Sequence, residues 1–265
     1  MSSKRSHVVE VSEPARLSAE QAAVKPISFA FQPIVDAKTH EILSYEALVR
    51  GAADNETAAQ IFEQIAPADL NLFDQRCRTT AIDLAVKLKI PCNLNLNILA
   101  NSRYSPERRI RTTLEAAHRG GLPLDCIVLE VSEGQIIHDP PEFAKMVNLY
   151  QRMGFKMAID DFGAGYAGLS LLADFQPNQI KIDRGLIHHI ENRGPRQVIV
   201  HAVIQVCRDL GIDLVAEGVE TTEQYAWLAS EGVRYFQGYL FGHPAFETLE
   251  TPSYSHILPA SGEPT

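Results

Sequence analysis

Ala158-Ile159-Asp160-Asp161-Phe162-Gly163-Ala164-Gly165-Tyr166 carries an apolar run into two adjacent carboxylates and then a loop with two glycines. Neighbouring strand residues point to opposite faces. Asp160 and Asp161 can therefore serve one cluster only where the strand ends and the backbone turns. Gly163 and Gly165 would let the loop fold back over that point. The stretch predicts a strand from Phe155 to Asp160 with a polar site at its carboxyl end, and the same arrangement recurs along the chain.

On either side, strand-like runs alternate with amphipathic segments. Cys126–Val131 precedes the stretch, and Gln179–Asp183, Ile212–Ala216 and Tyr235–Gly238 follow it. Asn93-Leu94-Asn95-Leu96-Asn97 alternates strictly, as a strand does. Ser105-Pro106 opens a helix that stops near Gly120-Gly121, and Asp139-Pro140 caps another that ends at Gly154. Pro195 opens a third, with a stripe of Ile199, Ala202, Val203, Val206 and Leu210; Thr221 and Gln224 form a capping box for a fourth. Residues 56–88 read as helix. Ser28–Val35 and Ile42–Val49 lie too close for a helical crossover, so they should pair antiparallel. About eight strands in roughly 220 residues predict an α/β fold, a TIM-like (β/α)8 barrel with an antiparallel first strand. Residues 1–26 read as an N-terminal tail, 27–249 as the barrel and 250–265 as a C-terminal tail.

Composition narrows the function. The chain has 265 residues, 45% hydrophobic and 22% charged, as in ordinary globular domains. Its net charge of −9 argues against bulk nucleic-acid binding. No run approaches the roughly 18 apolar residues of a membrane span, and the polar N-terminus lacks a signal-peptide core, so a cytoplasmic location is expected. Cys77, Cys92, Cys126 and Cys207 form no Cys-x-x-Cys pair and read as buried, reduced thiols. Histidine metal spacings, a nucleophile elbow and a P-loop are missing from the sequence, and no Gly-x-Gly-x-x-Gly dinucleotide fingerprint follows the first strand.

In such a barrel the site lies at the carboxyl ends of the strands. Glu46, Asn97, Glu130, Asp160, Asp161, Lys181, Asp183, Glu217 and Gln237 stand there. So many converging acids would repel one another unless a cation bound them. An all-oxygen set suits magnesium or manganese rather than zinc, and two such ions fit a phosphoester displacement. Ile180-Lys181-Ile182 alternates, so isoleucines under the helices would turn Lys181 to the interior, where it could orient or deprotonate an attacking water. Arg50 could clamp a substrate phosphate.

Taken in order, these residues resemble a known family. Tyr45-Glu46-Ala47-Leu48-Val49-Arg50 is similar to the signature that names the EAL-domain cyclic di-GMP phosphodiesterases, and Gln32-Pro33-Ile34-Val35 precedes it as in that family. Leu129-Glu130-Val131-Ser132-Glu133, Asp160-Asp161-Phe162-Gly163-Ala164-Gly165, Ile180-Lys181-Ile182-Asp183, Ala216-Glu217-Gly218-Val219-Glu220 and Phe236-Gln237-Gly238-Tyr239 continue the series over about residues 27–246. The resemblance implies hydrolysis of cyclic di-GMP to linear pGpG with two Mg2+ or Mn2+ ions. It implies Glu46, Asn97, Glu130, Asp160 and Glu217 as ligands of one metal, with Asp160 and Asp161 bringing in the second. Lys181 would hold the attacking water and Glu133 would steady the loop after Asp161. Gln32, Leu48, Arg50, Asp183, Gln237 and Pro244 would contact substrate, with Glu220 behind the metals.

Ala164 replaces the family's commoner threonine, Tyr166-Ala167-Gly168-Leu169 its Tyr-Ser-Ser-Leu, and Asn97-Ile98-Leu99 its Asn-x-Ser. With Asn101 and Tyr104, these changes resemble the members coupled to blue-light sensors. No cyclase signature is present: Gly120-Gly121 runs into Leu122-Pro123. A homodimer and a regulatory partner protein fit the resemblance. The competing readings are a non-catalytic cyclic di-GMP receptor and a hydrolase of another phosphodiester.

Overall fold

β1 (Ile27–Asp36) is buried along its whole length, unlike a strand with one face in water. Both of its edges are paired. It runs antiparallel to β2 (Glu41–Gly51) on one side and to β8 (Tyr235–Gln237) on the other. From β2 onward the pairing is parallel, through β3 (Asn93–Asn97), β4 (Ile127–Ser132), β5 (Lys156–Phe162), β6 (Gln179–Ile182) and β7 (Asp213–Ala216) to β8. The sheet closes as an eight-stranded barrel whose first strand opposes both neighbours, the architecture that the alternation predicts. The computed structural model describes residues 26–53, 56–100, 105–136, 140–165, 169, 172–173, 175–192, 194–255 and 257. Residues 1–25, Asn101, Tyr104, Asp139, Tyr166 and 258–265 lie outside the described residues.

The helices are α1 (Ala58–Phe62), α2 (Leu70–Lys87), α3 (Pro106–Gly120), α4 (Glu133–Ile136), α5 (Pro140–Met153), α6 (Arg184–Ile187), α7 (Pro195–Leu210) and α8 (Thr222–Ser230). Proline opens α3 and α7, and left-handed Gly121 and Gly211 close them. Apolar side chains of α2, α3, α5 and α7 pack on the outward faces of the strands in one core.

Five local expectations change. The single helical pattern over residues 56–88 is two helices, α1 and α2, because Pro67 disfavours helix at Ala66. The buried stripe of α7 is Val200, Val203, Ile204 and Cys207, while Ile199 and Leu210 are exposed. That helix is apolar around much of its circumference, so periodicity could not choose the face. β9 (Ala245–Phe246), with two residues and no pattern, pairs with Ala30 and Phe31 of β1. Residues 250–253 are tied to the barrel: Tyr45 donates to the carbonyl of Glu250 at 2.8 Å, Pro252 is buried, and Ser253 N donates to Phe241 O at 2.9 Å. All four cysteines are free, and only Cys207 is buried.

Candidate active site

The inward positions near the carboxyl ends of the parallel strands are polar. At their centre the structure places Lys181, which is fully buried. Its Nζ lies 2.9 Å from Glu46 Oε2, 3.0 Å from Glu130 Oε1, 3.1 Å from Asp160 Oδ1 and 2.5 Å from Glu217 Oε1. Burial alone would lower the pKa of this ammonium, but Asp160, Glu130, Glu217 and Glu46 together hold it well above its usual value. Burial also pushes Glu130 and Glu217 well above the carboxylate range, with the neighbouring acids adding to the rise and Lys181 opposing it.

Amides brace the ring. Gln237 Nε2 donates to Glu46 Oε2 at 2.7 Å and to Gln32 Oε1 at 3.2 Å, and Gln32 in turn donates to Gly242 O at 3.1 Å. Asn97 Nδ2 reaches Glu46 Oε1 at 3.3 Å. Asn95, which the sequence reading passed over, is fully buried and donates to Glu130 Oε1 at 2.8 Å. Its signal was the strict alternation of β3, which puts Asn93, Asn95 and Asn97 on one face.

The strand does not stop at Asp160. β5 continues to Phe162, and its register with β6 shifts between Ile159 and Phe162. Asp161 occupies this bulge with φ 55°, a left-handed conformation that aspartate tolerates better than most residues. A bulge re-aims a side chain without ending the strand. Carboxylate oxygens of Asp160, Asp161 and Glu217 thereby come within 4.8 Å of one another, as do those of Glu46, Glu130 and Asp160. Ser132 donates to Asp161 Oδ2 at 3.3 Å. Burial raises the pKa of Asp161, followed by the charges of Asp160 and Asp183. Glu133 is buried, and its Oε2 accepts from Gly163 N at 2.8 Å and Gly165 N at 3.1 Å.

The remaining candidates lie around this centre. Leu48 borders a cavity with Glu46, Asn97 and Asp160. Arg50 is half-buried and donates to the carbonyl of Val49. Burial holds its pKa down, against the upward pull of Tyr239 and Glu46. Asp183 caps α6 through Gly185 N, and half-buried Pro244 follows the Gly242 carbonyl that Gln32 holds. Glu220 stands apart from the carboxylate groups, exposed and paired with Arg184 at 2.9 Å.

The chain matches the EAL domain family over residues 16–244. It belongs to that family. Among solved structures, this EAL domain resembles a standalone versatile EAL protein of Vibrio cholerae O395 in its c-di-GMP-bound form. That match has 44% identity and a TM-score of 0.84, over 88% of this chain and 98% of the other. A manganese and cyclic di-GMP complex of Klebsiella pneumoniae BlrP1 matches at 39% identity and a TM-score of 0.80, over 85% of this chain and 57% of that one. Among curated proteins, the blue light- and temperature-regulated antirepressor BluF of Escherichia coli K12 is 34% identical, over 80% of this chain and 53% of its own length. The probable cyclic di-GMP phosphodiesterase PdeN of the same strain is 30% identical, over 81% and 43%. The EAL domain thus spans about half the length of these curated relatives or less.

Proposed function

We propose that this EAL domain hydrolyses cyclic di-GMP to linear pGpG with two divalent cations, Mg2+ or Mn2+. The observation that carries the reading is Lys181, buried within reach of four carboxylates, three on β2, β4 and β5 and the fourth just past the end of β7. The donor set fits hard cations: it is all oxygen, and Glu130 Oε2, Asn95 Oδ1 and Gln237 Oε1 are buried with no hydrogen-bond partner among the described residues. With every carboxylate ionised, as cation binding would require, five carboxylates and one ammonium carry four negative charges, which two divalent ions would neutralise.

In this proposal Glu46, Asn97, Glu130, Asp160, Asp161 and Glu217 hold the cations. Bound there, the ions would polarise the phosphodiester and make water a better nucleophile. Lys181 orients the attacking water through Nζ. Glu133 keeps the Gly163–Gly165 turn in place beside Asp161. Gln32, Leu48, Arg50, Asp183, Gln237 and Pro244 contact the dinucleotide, with Arg50 on a phosphate; Glu220, exposed and paired with Arg184, takes no part behind the metal ligands.

The reading expects a cytoplasmic enzyme that pairs with a second copy of itself, and light scattering reads the pairing. No described helix is long and apolar enough to cross a membrane. A second reading, a cyclic di-GMP receptor acting on a partner protein, draws support from the description of BluF as an antirepressor. Chromatography of cyclic di-GMP after incubation with the protein and Mn2+ separates the two. Conversion to pGpG supports the enzyme, whereas binding without conversion supports the receptor.

A further inference from the structure

Between α2 and α3 lies a cluster of charges that the chemistry above does not use. Asp74, Arg78, Arg109 and Thr113 are 6%, 1%, 3% and 0% exposed. Charged side chains are rarely buried so deeply, and desolvating them is costly. Their bonds converge on one short segment. Arg78 pairs with Asp74 one helical turn away, and donates to Thr113 Oγ1 at 2.9 Å and to the Arg109 carbonyl at 3.2 Å. The Asp74 carboxylate, so fixed, accepts from Leu99 N at 3.1 Å. Arg109 Nη1 donates to Leu99 O at 2.9 Å and Ala100 O at 2.7 Å. From α4, Gln135 Oε1 accepts from Ala100 N at 2.9 Å.

Three helices thus grip residues 99 and 100 by their backbone, just beyond Asn97 at the end of β3. A cavity of about 320 Å3, bordered by Asp74, Arg78, Asn97, Leu99 and Gln135, adjoins this segment. Ile98 anchors the segment in the core, and the polar bonds fix the backbone of residues 99 and 100 on the cavity side. Gln135 also sits two residues from Glu133, which holds Gly163 and Gly165. The same grip therefore links the loop after β3 to the loop after β5.

We propose that Asp74, Arg78, Arg109 and Gln135 are positioning residues that set Asn97 against Glu46 and thereby the affinity of the site for its cation. The Asn97 amide donates Nδ2 to Glu46, which leaves its carbonyl oxygen for the metal. A shift of the 99–100 backbone would carry Asn97 with it. This inference rests on Asn97 as a ligand, as proposed above.

The test measures Mn2+ affinity by calorimetry without nucleotide, alongside thermal melts and kinetics. Arg109→Met removes both carbonyl contacts while filling similar volume with an apolar chain. Gln135→Leu removes the grip on Ala100 from a less buried position. Ile110→Val is the control, being fully buried on α3 beside Arg109. In both test variants the Mn2+ dissociation constant should rise about tenfold, as for other groups behind metal ligands. Their kcat at limiting Mn2+ should fall by about the same factor, with KM for cyclic di-GMP within about twofold. Ile110→Val should lower the melting temperature alone. An unchanged Mn2+ affinity in the folded test variants, or an equal loss in Ile110→Val, would overturn the proposal. Should Arg109→Met not fold, Gln135→Leu decides. If the wild type binds Mn2+ without turnover, the phosphodiesterase reading fails and the affinities still decide this one. A wild type that binds no Mn2+ refutes both.

Discussion

Carboxylates about 4 Å apart repel by roughly 4 kcal/mol at an effective dielectric of 20. One buried ammonium among Glu46, Glu130, Asp160 and Glu217 offsets only part of that. The cluster is built to receive further positive charge. In the proposed reading Arg50 brings a further positive charge to a substrate phosphate beside this cluster. Arg50→Ala should raise KM for cyclic di-GMP about tenfold and lower kcat less; steady-state kinetics reads the split, and an unchanged KM speaks against a clamp. Asp36 gives a pH prediction away from the site. Burial would raise its pKa, but the hydrogen bonds and charge of Arg234 and the backbone of Lys38 hold it below the usual 3.8. A depressed carboxylate stabilises the fold above its unfolded pKa and loses that effect as pH falls through its folded one. Asp36→Asn should therefore be less stable than wild type at neutral pH, with the gap closing below about pH 4. Denaturant melts across that range check it.

The elements were legible to different depths. The parallel strands and the caps at Pro106, Gly121, Pro195 and Thr221 stood out because periodicity and capping are local properties. The bulge at Asp161 did not, because whether a strand ends or bulges depends on its partner β6. The Asp74–Arg78–Arg109 cluster was hidden because charges on an amphipathic helix ordinarily face solvent. Asn95 was readable from its alternating strand, yet only tertiary structure shows it touching Glu130. Gly238 makes the element-scale prediction. Its φ is 155°, and a Cβ there would lie 2.1 Å from the carbonyl oxygen of Val219, which Leu240 N also approaches. Gly238→Ala should displace Gln237 and destabilise the fold by about 2 kcal/mol, as overpacking does. A melt like the wild type's would show that the two backbones can separate freely.

At the scale of the molecule, closure of the barrel brings residues from β1 to β8 to one mouth, although they lie up to 205 positions apart in sequence, as Gln32 and Gln237 do. The fold was legible because each crossover repeats one motif, and the site because acids recur at the same point of each repeat. A cation that binds only the folded site stabilises the whole chain by mass action, about 2.7 kcal/mol at a hundred times its dissociation constant. Saturating Mn2+ should accordingly raise the melting temperature by several degrees, and a chelator should reverse the rise.

The most direct measurement compares wild-type and Lys181→Ala proteins in one assay with cyclic di-GMP and Mn2+, with and without chelator, following pGpG by chromatography and nucleotide binding by calorimetry. The account predicts metal-dependent pGpG from the wild type, and a folded variant that binds the nucleotide but converts it at least about a hundredfold more slowly. Equal conversion by the variant, or binding without conversion by the metal-loaded wild type, would contradict it.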